Sequence, residues 1–181
     1  MNKFLLIVAI LCLSFFHSFA QIKSASLRAS GLTCSMCSKA IYKALQKVPS
    51  VQEVKVNIET SVYDISFKPN AAISIDAVKK AVENAGFSVA SMQVTATFPK
   101  MEIANDAHFS LGGVNLHFLN VQPQTIQGDK TVTVVDKNYL PTAENKKYSQ
   151  YTKMTCFQTG VMEACCTNGH QPAGRIYHVT L

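Results

Sequence analysis

The sequence predicts an α+β chain in two parts: six regular elements over residues 22–92, then a small antiparallel β barrel or sandwich over residues 93–181. Three observations predict it. Apolar residues alternate at period two in four early segments and recur at helical spacing in two others. Two cysteines three positions apart sit where the first extended segment gives way to the first helix. After residue 93 short β-branched runs are separated by turn residues, with no convincing amphipathic helix.

Ala25, Leu27 and Ala29 alternate with Ser26, Arg28 and Ser30, which makes a half-buried strand. Met36, Ala40, Ile41, Ala44, Leu45 and Val48 then form a helical stripe, with Lys39, Lys43 and Lys47 on another face. Pro49-Ser50 stops that helix. Val54, Val56 and Ile58 alternate, Glu59-Thr60-Ser61 turns, and Tyr63, Ile65 and Phe67 alternate in return, which is a hairpin. Ser74 is an N-cap residue, and Asp76 in the first turn suits the helix dipole. Ile75, Val78, Val82 and Ala85 form the second apolar stripe, and Gly86 closes the helix as the residue after its cap. Phe87 to Met92 reads as a last strand. Strand, helix, strand, strand, helix, strand is the order of a ferredoxin-like βαββαβ sandwich.

The ends and the composition bound the function. Met1-Asn2-Lys3, the apolar run from Phe4 to Phe16, and the small residues up to Ala20 predict a signal peptide over residues 1–20. The run is short for a membrane span, so no span is expected after signal cleavage, and the chain is expected to be exported to the periplasm or the extracellular space. The net charge of +6 includes no arginine cluster and no aromatic-basic stripe, so nucleic acid is not an expected partner. No Ser-His-Asp arrangement, phosphate-cradling glycine loop or carboxylate pair stands out, so a binding protein is expected rather than an enzyme. Of six cysteines, Cys12 lies in the leader. The remaining five are an odd number for an oxidising compartment, which favours metal chemistry for some of them.

Cys34 and Cys37 are the candidate metal ligands. Two thiolates at this spacing close on one soft ion. Cys37 falls in the first turn of the first helix, where unpaired backbone N–H groups and the positive dipole end favour a deprotonated sulfur. No carboxylate and no histidine lies between Ala29 and Ala40, and zinc normally takes four ligands. Copper(I) is therefore the first expected ion, mercury(II) the next and zinc(II) the third. Met36, between the cysteines, is read as the buried staple of the loop rather than a thioether ligand. Competing readings are a local disulfide and a thiol–disulfide redox couple. A thioredoxin-like couple would place an aromatic residue before the first cysteine and a proline within the pair; Thr33 and Ser35-Met36 supply neither.

These residues carry a resemblance. Residues 25–92 resemble the heavy-metal-associated domain family, the soft-metal-binding fold of copper chaperones and metal-pumping ATPases. Gly31-Leu32-Thr33-Cys34-x-x-Cys37 matches the family's loop motif, with Leu32 where methionine is commoner. Gly86-Phe87 matches its Gly-aromatic pair after the second helix, an aromatic that in the family packs close to the metal loop. Zinc-preferring members often carry aspartate where Thr33 stands. A leader followed by one such domain is the layout of the family's periplasmic mercuric-ion-binding members. The resemblance implies a non-catalytic binder that sequesters the ion or exchanges it with a metal-donating or metal-accepting protein. A metal-sensing interaction module is a further reading.

Residues 93–181 resemble no family we recognise, and a short linker is expected between Met92 and Pro99. Cys156, Cys165, Cys166 and His170 are ligand-type residues with Met154 and Met162 interspersed. The leading expectation is a disulfide from Cys156 to Cys165 or Cys166; the sharper one is a second soft-metal site using these sulfurs and His170. His117 and His178 alternate into strand patterns and are expected at the core edge or surface, and His108 has no evident partner.

Overall fold

The computed structural model describes residues 21–32, 35–162, 166 and 174–181. The expected signal peptide, Cys34, Cys165 and His170 lie outside them. The elements are β1 (Gln21–Ser30), α1 (Ser35–Gln46), β2 (Val51–Asn57), β3 (Val62–Phe67), α2 (Ile75–Asn84), β4 (Ser88–Ile103), β5 (His108–Leu111), β6 (Val114–Phe118), β7 (Gln124–Val134), α3 (Thr142–Tyr148), α4 (Cys156–Thr159) and β8 (Ile176–Thr180).

The first six elements follow the expected order, and local chemistry explains their ends. Ser74 caps α2 by accepting a hydrogen bond from the Ala77 amide at 3.1 Å. Gly86 takes φ +89°, its amide bonds the Glu83 carbonyl, and the Phe87 amide reaches back to Val82. That is a Schellman stop, and the positive φ explains the glycine. Ile41 and Leu45 of α1 and Ile75, Val78 and Val82 of α2 are buried with Leu27, Tyr63 and Ile65 of the sheet. Ile58 falls beyond the end of β2 and is exposed.

The second part is not a closed barrel or a separate sandwich. Its strands extend the same open sheet, in the order β2-β3-β1-β4-β7-β8-β6-β5. β4 is 16 residues long and runs through the stretch expected to be a linker, pairing with β1 on one side and β7 on the other. Val94, Ala96 and Phe98 continue the alternation that Met92 begins, so nothing in the pattern ends the strand at Met92. Pro99 sits at a register shift between Phe98 and Met101, where a missing N–H is tolerated. A single apolar cluster runs from Ile22 to Val179 across both parts. One pairing, β6 with β8, is parallel. The two short helices α3 and α4 were not expected from the sequence.

Both faces of the distal sheet are covered. On β8, Tyr177 faces α2, its hydroxyl accepting from the Asp76 amide at 3.1 Å. The next residue, His178, points to the opposite face, edge-on to Phe157 of α4 at 5.1 Å between ring centres. Every residue of β6 and β8 is buried, as strands covered on both sides require.

Candidate functional site

The expected metal loop leaves β1 at Gly31, whose φ of +85° turns the chain toward α1. Leu32 is half-buried against the main core. Phe87 lies behind the loop, its ring 4.0 Å from where a Cβ on Gly31 would stand. The Gly-aromatic pair is thus beside the loop. Cys37 is the third residue of α1 and half-buried. Its position in the first turn, which carries no acidic residue, favours the thiolate. Burial pushes the hydroxyl of Tyr63 above its ordinary pKa, and the nearby Cys37 adds to that shift. Tyr63 therefore stays neutral beneath the sulfur. Lys39 and Lys43 are exposed. Met36 is 70 % exposed, so it is not the buried staple expected of it. It precedes Ser38, which takes the buried side of the first turn.

The second set of expected ligands is only partly within the described residues. Cys156 and Cys166 are both buried in a small cluster with Met162 and Ile176, and Met154 packs against it. What surrounds Cys156 was not expected. His117 and His178 are fully buried, not at the core edge or surface. Strand pairing sets His108 opposite His117 across β5 and β6, and His117 opposite His178 across β6 and β8. Three imidazoles therefore stand in a row across the sheet. The His108 and His117 rings stack at 4.1 Å, and His117 and His178 lie 4.9 Å apart. The Cys156 sulfur is 3.6 Å from Nδ1 of His117.

Carboxylates back two of the rings. Nε2 of His117 lies 3.0 Å from Asp106, and Nδ1 of His178 lies 2.6 Å from Asp136. Burial, together with the neighbouring imidazoles, lowers the His117 pKa to about 4, so the ring is neutral at pH 7. Burial also lowers that of His108. One signal for the first pair was legible: Gly112-Gly113, both at positive φ, center a two-residue hairpin, and that places 108 opposite 117. No sequence signal places His178, because its strand joins by a parallel pairing.

A third cluster ties the faces together. Arg175 bonds Asp76 of α2 at 2.8 Å and Asp136 at 2.8 Å, and the Tyr139 hydroxyl donates to Asp76 at 2.6 Å. Burial opposes the Asp76 charge, but the hydrogen bonds from Arg175 and Tyr139 outweigh it and hold the carboxyl below its ordinary pKa.

Comparison with known proteins adds the lineage. The model of the heavy-metal-associated domain matches residues 26–88. The chain is 35% identical over 69 residues to the mercuric transport protein periplasmic component of Serratia marcescens, which covers 38% of this chain and 75% of that protein. It is 32% identical over 72 residues to a probable copper-exporting P-type ATPase of Archaeoglobus fulgidus, covering 40% of this chain but only 9% of the ATPase. Among solved structures, that of oxidised MerP from Ralstonia metallidurans CH34 is 34% identical, covers 38% of this chain and 96% of its own, and has a TM-score of 0.35. With the matched domain, its loop and its Gly-aromatic pair in one place, this chain belongs to the heavy-metal-associated domain family.

Proposed function

We propose that the protein is an exported binder of soft metal ions that holds one ion between Cys34 and Cys37 and passes it on by ligand exchange. The observation that carries this reading is the position of Cys37: half-buried, in the acid-free first turn of α1, above a neutral Tyr63. There the helix end stabilises a thiolate, and partial exposure lets an incoming thiolate attack the ion. Copper(I) is the first ion and mercury(II) the next, since two thiolates satisfy either, whereas zinc(II) lacks further ligands near the loop. The relatives named as a mercuric transport component and a copper exporter support that pair of ions. The periplasmic description of the former supports export. Among the described residues no helix is long and apolar enough to cross a membrane. The donor or acceptor is a second protein presenting thiolates.

The test is titration of the reduced chain with copper(I) against a competing chelator. We expect the parent chain to hold one more ion than Cys34→Ser or Cys37→Ser does. Equal retention by the parent and both variants would overturn the loop site, and turnover of a model disulfide without metal binding would replace this reading with a redox one.

A further inference from the structure

We propose that His108, His117 and Cys156 form a second metal site, on the face of the sheet opposite α2, that takes a copper or zinc ion. The ligand atoms of these three residues lie within 4.8 Å of one another. Around a tetrahedral ion with bonds of about 2.0–2.3 Å, donors stand roughly 3.3–3.8 Å apart. The Cys156–His117 separation of 3.6 Å already has that value. The widest pair needs to close by about 1 Å, within reach of a side-chain rotation.

Three further features fit a metal. Nε2 of His108 is buried and has no hydrogen-bond partner among the described residues, and the same is true of Nε2 of His178. Burying an imidazole nitrogen unsatisfied is costly, and coordination removes the cost. Asp106 holds Nε2 of His117, which fixes the ring so that Nδ1 faces the sulfur. A carboxylate behind a ligating histidine is the usual outer support of a metal site. His178, next in the row with its ring centre 4.9 Å from that of His117 and Asp136 behind it, is the fourth ligand we assign. Mixed imidazole and thiolate donors select copper or zinc over magnesium or calcium. The site is enclosed: Cys156 and His117 are fully buried. An ion there is retained rather than exchanged.

This site does not depend on the cysteine loop, and the experiment keeps the two apart. The full-length chain carrying Cys34→Ser with Cys37→Ser is reduced and loaded with zinc(II) or copper(I) in separate arms, then freed of excess ion and assayed for metal. One ion per chain is expected in at least one arm, and competition between the arms says which ion is preferred. Cobalt(II) is expected to give the visible bands of a tetrahedral centre with a sulfur-to-metal charge-transfer band, and Cys156→Ser is expected to remove that band. Asp106→Asn is the gentle variant. Residue 106 sits at φ +63°, which asparagine tolerates, and its side chain is partly exposed. It is expected to weaken metal binding by about 10- to 100-fold while amide NMR spectra of the metal-free chain stay native. The proposal is overturned if the folded double variant retains no ion in either arm. It is equally overturned if retention and the cobalt spectrum are unchanged by both Cys156→Ser and His108→Gln. Loss of the loop site alone would leave this one standing, and the reverse.

Discussion

The two ends of this sheet handle sulfur in opposite ways. At one end Cys37 stands in the first turn of α1, half-buried, on a helix whose Lys39 and Lys43 are exposed. At the other, Cys156 is buried at the start of α4 against a row of imidazoles, and two carboxylates support the row. The difference teaches what burial does to a ligand. An accessible thiolate can be attacked by another thiolate, so an ion held there would move. A buried one is reached only if the covering segment opens, so an ion held there would stay.

The two ends are nevertheless parts of one sheet, and the largest expected effect tests that. Phe98 lies on β4, 2 % exposed, with Phe109 and Phe118 each 6.2 Å away. Phe98→Ala should cost about 3–5 kcal/mol. Because β4 is shared, urea unfolding should remain a single transition followed equally by probes at either end. Two separated transitions would restore the picture of independent domains.

A smaller effect is expected from cutting the link between the faces. Arg175→Met leaves Asp136, 6 % exposed, without its guanidinium, and leaves Asp76 of α2 with its bond from the Tyr139 hydroxyl but without the arginine. A loss of about 2–3 kcal/mol is expected, discounted from a fully buried pair because Arg175 is 32 % exposed. If the faces are coupled through this arginine, NMR shifts should change both in the first turn of α2 and around His178. A change confined to one face would break the coupling.

Acid should give a milder version of the same cut. The folded Asp76 carboxyl lies below its ordinary value of 3.8. Its contribution is therefore complete above that value and lost as pH falls below it, through the folded pKa. Hydrogen exchange of the first α2 turn should accelerate below about pH 3.8 in the parent and not in Asp76→Asn. Equal acceleration in both would remove Asp76 from the account.

Much of the first part was legible because its signals are short-range. The stripe from Ile75 to Val82, the Ser74 cap and the Gly86 stop each involve residues within one or two turns. The place of Cys37 in the first turn of α1 was legible for the same reason, since the strand end and the helix start lie close in sequence. Pro99 misled because a proline reads as an ending, yet at a bulge it interrupts only the ladder. Met36 misled because helical spacing says which residues share a stripe, not which end of the stripe the sheet leaves uncovered.

By itself, then, the sequence determined the βαββαβ order, the Ser74 cap, the Gly86 stop and the place of Cys37, because propensity and periodicity act over a few residues. Only the tertiary structure decided that one long β4 joins both parts, that β8 returns parallel to β6, and that His108, His117 and His178 meet beside Cys156. Those outcomes depend on pairing between segments up to 76 residues apart, set by which buried faces can be covered together, and no local pattern encodes that choice.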